Sequence, residues 1–140
     1  VFFFDKKKFK VIDKKNGFKK NTFDFLTSTN NVLKMDGKHV FDFVRTVVKP
    51  KLTNYIKSRK SKSVKNIFLH QASKVVISYF KTMLSNKYLI PSNLEKRGNT
   101  VSATIPILIY DNIKLFKKNV ILCGFGVGLS YSIVTLEINK

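Results

Sequence analysis

The sequence predicts an α/β layered fold on three observations. Short apolar runs of strand type alternate with segments whose apolar residues recur at helical spacing. The chain closes on a stretch of two-residue alternation. Its 140 residues, 44% hydrophobic and 13% aromatic, suffice for one domain that buries about two thirds of its unfolded surface. A single domain over residues 1–140 is therefore expected.

The elements follow in order. Phe2 to Phe4 and Phe9 to Ile12 read as two short β-segments flanking Lys6 to Lys8, with Asn16-Gly17 as the next turn. Thr27, Ser28, Thr29, Asn30 and Asn31 mark a loop within residues 21–31. After Gly37, the residues Val40, Val44, Val47, Val48, Leu52, Tyr55 and Ile56 keep helical period, which predicts a helix over 38–58 that Pro50 kinks or divides. Lys57 to Lys65 is a basic linker. Asn66 to Leu69 is a strand of buried type that ends at His70. Ala72, Val75, Val76, Tyr79, Phe80, Met83 and Leu84 predict a second helix over 72–85. Pro91 and Asn93 break the following segment. Arg97-Gly98-Asn99-Thr100 is a tight connection, and Ser102 to Asn112 is a buried helix with Pro106 early in it. Asn119 to Cys123 is a strand that runs into a glycine loop over 124–128. Tyr131 to Ile138 alternates, with Tyr131, Ile133, Thr135 and Glu137 on one face, and can close a hairpin around that loop.

Composition narrows the function. The longest apolar runs, Ile105 to Tyr110 and Val120 to Cys123, fall far short of the ~18 residues of a membrane span, so no membrane is expected. The opening Val1-Phe2-Phe3-Phe4, followed by Asp5 and three lysines, reverses the charge order of a secretory signal. The chain begins with Val1, which suggests a fragment. One cysteine, Cys123, excludes an internal disulfide or a multi-cysteine zinc site and fits a reducing cytoplasm. The net charge of +19 comes mostly from lysine. Three sources fit it: a lysine-, asparagine- and isoleucine-rich coding bias with solvated lysines, an acidic protein partner, and, last, nucleic acid. The last lacks the aromatic or arginine motif that base recognition uses.

Three segments carry the chemistry: Phe68-Leu69-His70-Gln71-Ala72-Ser73, Gly98-Asn99-Thr100-Val101-Ser102-Ala103-Thr104-Ile105-Pro106, and Gly124-Phe125-Gly126-Val127-Gly128. Each alone also reads as packing or turn chemistry. Together, in this order and spacing, they resemble the C-terminal half of β-ketoacyl-acyl carrier protein synthase III, of the thiolase superfamily. Leu33 to Phe41 is similar to the start of that family's long helix. The likeness covers about residues 33–140 well and 1–32 loosely.

The resemblance implies one half of a thiolase-like layered fold, a mixed sheet with packed helices, with the active site between this half and an N-terminal half. It implies a decarboxylative Claisen condensation: malonyl-acyl carrier protein loses carbon dioxide, and the carbanion attacks an acyl group taken from coenzyme A by a cysteine. His70 and Asn99 would be the paired donors to the enolate oxygen. The imidazole must then keep its hydrogen on the nitrogen facing the substrate, held there by a partner at the other nitrogen. The backbone N–H of Val127 would contribute to the oxyanion hole. Gly37, Phe41, Ser73 and Gly126 would contact the substrate or coenzyme A, with helix start and core packing an equal reading of Gly37 and Phe41. Lys74 and Lys81 would steer an acidic acyl carrier protein. The substrates are acyl-coenzyme A and malonyl-acyl carrier protein, with no cofactor and no metal, and the apolar face of an isolated half predicts a homodimer.

The sequence departs from the family's usual pattern at three places. Val127 stands where Gly or Ala is usual, Ser73 where Asn is usual, and Val75 where a basic residue is usual. Cys123, in an apolar strand, reads as core, which leaves the nucleophile in the N-terminal half. His39 reads as a surface residue. The chain alone is then inactive, and a non-catalytic lobe that acts as a binding or interaction module is the alternative.

Overall fold

A computed structural model describes residues 9–19, 26–29, 32–57, 64–84 and 87–138. The strands are β1 (Phe9–Phe18), β2 (Leu26–Thr29), β3 (Val32–Met35), β4 (Asn66–Leu69), β5 (Asn119–Gly126) and β6 (Ser130–Ile138). The main sheet has the order β1-β6-β5-β4, antiparallel except for the β5–β4 pair. That makes it mixed, as predicted. The helices are α1 (Gly37–Phe43), α2 (Lys49–Lys57), α3 (Lys74–Leu84), α4 (Leu94–Arg97) and α5 (Thr104–Asp111).

Helices cover both faces of this sheet. On one face Phe43, Val44 and Leu52 of the α1–α2 run and Val76 and Phe80 of α3 pack against Ile67, Leu69, Cys123, Phe125 and Ile133. On the other, Leu108 and Ile109 of α5 and the following Phe116 pack on Phe68 and Val120, with Leu122 and Leu136 alongside. Successive residues of β4 therefore enter opposite cores. This explains why the strand reads as an unbroken apolar run rather than as alternation. Along β6, Tyr131, Ile133 and Thr135 are buried on the α1–α3 side, as the two-residue period predicts, and Thr135 meets the Tyr55 hydroxyl at 2.9 Å.

Pro50 is absorbed without breaking the helical run. A proline lacks an N–H and crowds the carbonyl four residues back. Residues Val44–Val48 form a π-helical turn, where Lys49 N–H reaches the Val44 carbonyl, and this wider winding separates α1 from α2 just before the ring. Asp36 caps α1 by accepting the His39 N–H at 3.0 Å, and Ser73 accepts the Val76 N–H at 3.3 Å at the start of α3.

Three expectations are corrected. Asn16-Gly17 is no turn: both residues lie inside β1, paired with Ser132 and Tyr131. A Cβ at Gly17 would fall 2.5 Å from the Tyr131 ring, so the glycine permits a close approach rather than a reversal. The polar stretch of residues 26–29 is strand, not loop, and forms a hairpin with β3 in which Leu26 faces Met35 and Thr29 faces Val32. The glycine loop is also shorter than expected, because β5 continues through Gly124 and Gly126. A further short helix, α4, follows the break predicted at Pro91 and Asn93 and ends at Arg97, the first residue of the predicted tight connection. The expected β-segment at Phe2 to Phe4 and most of the basic linker lie outside the described residues.

The Gly17 packing gives a test. Gly17→Ala is expected to lower stability by roughly 1–3 kcal/mol, the usual range for overpacking, as measured by urea unfolding. Combined with Tyr131→Leu, which removes the obstructing ring atoms, the loss should be less than additive. Strict additivity would show that the two groups do not meet.

Candidate active site

The carboxyl end of β4 delivers His70 into a pocket. The parallel ladder runs one step past the strand, where His70 N–H donates to the Cys123 carbonyl at 2.9 Å. Ala72 N–H then donates to the His70 carbonyl at 3.0 Å and turns the chain toward α3. Gln71 between them is fully buried and well satisfied. Its Nε2 donates to the Leu69 carbonyl at 2.8 Å, while its Oε1 accepts from Ser92 Oγ at 2.8 Å and Asn93 N–H at 3.3 Å. The amide thus fastens the His-Gln-Ala corner to residues 92–93.

Asn99 arrives from a second braced segment. Arg97 grips Asp111 in a bidentate pair, Nε at 3.1 Å and Nη2 at 3.0 Å, and Asn93 Nδ2 adds a bond of 2.7 Å to the same carboxylate. Arg97 first, and Asn93 second, hold the Asp111 carboxyl below its usual range. Gly98 follows at φ 65° and ψ −165°, a region open to glycine and hardly to other residues. Asn99 Oδ1 then accepts the Val101 N–H at 2.9 Å, and its Nδ2 donates to the Ala72 carbonyl at 3.2 Å. The amide is oriented from both ends. One Nδ2 hydrogen remains for a ligand.

Val101 is bent to make this possible. Its φ of 53° is left-handed, which is uncommon for a β-branched side chain and costs about 1–3 kcal/mol. Its N–H serves Asn99, and its carbonyl lies 3.0 Å from Thr104 Oγ1, within reach of that hydroxyl. Thr104, 2% exposed, lies with its Oγ1 2.6 Å from His70 Nδ1. The Phe125 ring packs against the imidazole edge to face, centroids 5.4 Å apart.

A cavity of about 450 Å³ opens on these groups, lined by His70, Asn99, Thr104, Gly126 and Val127 among others. Most of its remaining wall is apolar, including Met35, Val40, Ile105 and Phe125. Burial lowers the His70 pKa below its ordinary 6.5, so the ring is neutral at pH 7. Gly126 borders open space, since a Cβ there would meet nothing within 4 Å.

The structure brings together four of the predicted site residues: His70, Asn99, Gly126 and Val127. The others lie outside this cavity. Phe41 packs edge to face on Tyr79 at 5.7 Å and borders the main core. Gly37 is exposed at the start of α1, and Ser73 is the cap of α3 described above. Lys74 and Lys81 line a separate polar cleft of about 500 Å³ beside Lys96 and Arg97, where Lys74 Nζ lies 3.6 Å from Glu95. Cys123 is fully buried, and that burial pushes its thiol up to about 12. It is core, as expected. His39 lies at the surface beside the Asp36 carboxylate at 2.6 Å. Thr104 was missed, although the need of His70 for a partner was evident and Thr100, Ser102 and Thr104 all offered hydroxyls nearby. Among the described residues, no group of three or more His, Cys, Asp or Glu is placed to hold a metal, and no helix is long and apolar enough to cross a membrane.

Comparison with known proteins decides the family. The family model described as 3-oxoacyl-[acyl-carrier-protein (ACP)] synthase III C terminal matches residues 57–138, which is more than half of the chain. The chain belongs to this family. A β-ketoacyl-[acyl-carrier-protein] synthase III of Clostridium botulinum (strain Kyoto) is 37% identical over 114 residues, covering 76% of this chain and 35% of the relative. One from Streptococcus agalactiae (strain NEM316) is 31% identical over 115 residues, covering 76% and 36%. The crystal structure of the Pseudomonas aeruginosa PAO1 3-oxoacyl-(acyl carrier protein) synthase III superposes with a TM-score of 0.78 at 24% identity, covering 93% of this chain and 44% of that one. The synthase III fold is thus shared, as one half of a thiolase-like architecture. The chain spans about a third of the length of the curated relatives it matches.

The burial of His70 predicts a pH effect on stability. In the unfolded chain the imidazole takes up a proton near 6.5, whereas in this synthase III fold it does so only at lower pH. The unfolded state therefore binds more protons as pH falls below about 6.5, and stability is lost between that value and the folded pKa. Between about pH 7 and about pH 5 the urea midpoint should fall more steeply for the wild type than for His70→Gln. Equal slopes would refute the assignment.

Proposed function

We propose that this chain is the C-terminal catalytic lobe of a 3-oxoacyl-acyl carrier protein synthase III and stabilises the enolate formed when a malonyl thioester loses carbon dioxide. The observation that carries this reading is the convergence of His70 and a doubly oriented Asn99 on one largely apolar cavity. In the reaction the bond between the malonyl α-carbon and its carboxylate breaks, carbon dioxide leaves, and the electron pair moves onto the thioester oxygen. Asn99 Nδ2–H and His70 Nε2–H donate to that oxygen. The surrounding apolar wall keeps water away and strengthens both hydrogen bonds.

The enolate carbon then attacks an acyl group carried as a thioester on a cysteine. Cys123 does not serve, because a buried thiol titrating near 12 forms no useful thiolate. The nucleophile is assigned to the N-terminal half, which covers the cavity from the side where Met35, Val101 and Val127 are exposed. The Val127 N–H would support the acyl carbonyl there, and the isopropyl group of Val127 would limit the acyl chain. Gly126 leaves room for the substrate thioester, and Gly37, Phe41 and Ser73, which lie outside the cavity, are assigned on the family resemblance alone to the coenzyme A or pantetheine arm. Acyl-coenzyme A and malonyl-acyl carrier protein are the substrates, and the chemistry draws on side-chain and backbone donors alone. The positive field, with Lys74 and Lys81 on the face of α3, favours an acidic carrier protein. Without the N-terminal half this lobe holds the donors and lacks the attacking group, and a homodimer of complete subunits is the assembly this reading expects.

The test uses the full-length protein. His70→Ala or Asn99→Ala should slow malonyl-thioester decarboxylation roughly a hundredfold to a thousandfold, the usual effect of removing one oxyanion donor, with folding intact by circular dichroism. Decarboxylation unchanged by both replacements would rule out the catalytic reading and leave the non-catalytic lobe.

A further inference from the structure

The imidazole of His70 has two nitrogens, and only one arrangement of its hydrogen suits donation into the cavity. Nδ1 lies 2.6 Å from Thr104 Oγ1, and Nε2 makes no hydrogen bond among the described residues. A neutral ring with its hydrogen on Nδ1 would present a bare lone pair at Nε2. That form accepts and cannot donate.

Two features of the contact favour the opposite tautomer. N–H donors sit about 2.7–3.2 Å from an oxygen acceptor, most often near 2.9–3.0 Å, whereas hydroxyl donors make shorter contacts, about 2.5–3.0 Å to oxygen. The 2.6 Å separation fits O–H···N better than N–H···O. The hydroxyl has a single hydrogen and one other acceptor in reach, the Val101 carbonyl at 3.0 Å, which is long for an O–H donor. The nearer acceptor wins. We propose that Thr104 is the positioning residue that sets the tautomer of His70, its hydroxyl donating to Nδ1 so that the ring hydrogen stays on Nε2 toward the cavity.

The Val101 carbonyl completes the arrangement. When His70 takes up a second proton, Nδ1 becomes a donor, and the Thr104 hydroxyl can turn to the carbonyl and accept from the ring. The group is satisfied in either state. Val101 therefore reaches both members of the donor pair: its N–H orients the Asn99 amide directly, and its carbonyl offers the Thr104 hydroxyl an alternative acceptor when the ring is protonated. The left-handed φ of Val101 is the conformation in which both contacts coexist. That this ring hydrogen serves an enolate rests on the function proposed above; its placement does not.

The experiment is nitrogen-15 NMR of the full-length protein labelled at histidine, at neutral pH, with His70→Gln identifying the signal. The wild type should show Nε2 in the hydrogen-bearing range and Nδ1 in the bare, hydrogen-bonded range. Thr104→Val, which keeps the shape and removes the hydroxyl, should mix the tautomers and lower the kcat for decarboxylation about tenfold, the worth of one hydrogen bond, with KM little changed. Thr104→Ser should restore both readouts. If Thr104→Val fails to fold, Thr104→Ala takes its place. A wild-type hydrogen on Nδ1, or ring shifts that ignore loss of the hydroxyl, would overturn the proposal. Ring nitrogens that respond as expected while His70→Ala leaves decarboxylation untouched would instead remove the catalytic function and leave the tautomer assignment standing.

Discussion

The parallel pairing of β4 with β5 is the contact on which the site depends. It sets Leu69 opposite Cys123, and one further ladder bond, from His70 N–H to the Cys123 carbonyl, holds the histidine just beyond the strand. The same strand, β5, carries Gly124, Phe125 and Gly126 into the cavity wall. A change of register by one residue would send every β4 side chain to the other core and would leave His70 on the wrong side. Ligand sites in open α/β sheets lie at the carboxyl ends of parallel strands for this reason, because there the backbone ends while its orientation is still enforced.

The site's cost is borne by the layers around it. Val101 stores roughly 1–3 kcal/mol in its backbone, and half-burying a histidine adds a desolvation cost. A single fully buried Phe contributes roughly 1.5–3 kcal/mol, and Phe43, Phe68 and Phe80 are all in that state. The two cores therefore outweigh the local strain. The Arg97–Asp111 pair, by contrast, leaves the Arg97 side chain half exposed, and a pair open to solvent is worth little by itself. Its value is geometric: it closes the segment around Gly98 so that Asn99 starts from a fixed point.

Legibility in the sequence followed how much of each element's environment is encoded locally. The helix over Lys74–Leu84 and the strand over Ser130–Ile138 show their period because each buries one face strongly. The β4 run was legible as buried. Asn16-Gly17 was misread because its glycine answers to Tyr131, more than a hundred residues away, and no local pattern carries that. The hairpin of β2 and β3 was hidden by polar residues that pair through their backbones. The donor segments were individually ambiguous and became readable only in their order and spacing. Thr104 was visible as a residue and not as a partner, because a threonine at the start of a helix also satisfies ordinary capping chemistry, and its contact with His70 spans 34 positions.

The apolar wall of the cavity links the electrostatics to the chemistry. Water would hydrate His70, hold its pKa near the ordinary value, and let either tautomer serve. Ile105 and Phe125 around it, with the sheet behind, make the charged ring costly. The ring is then neutral, and a neutral imidazole has a direction that an imidazolium lacks. Its donor must be chosen, and the choice falls to whatever meets the buried nitrogen. The same dryness that would strengthen a hydrogen bond to a developing oxyanion thus also requires a second group to aim it. In this fold the strand end supplies the histidine and the start of α5 supplies the hydroxyl, so the orientation of the donor depends on the packing of α5 against β4.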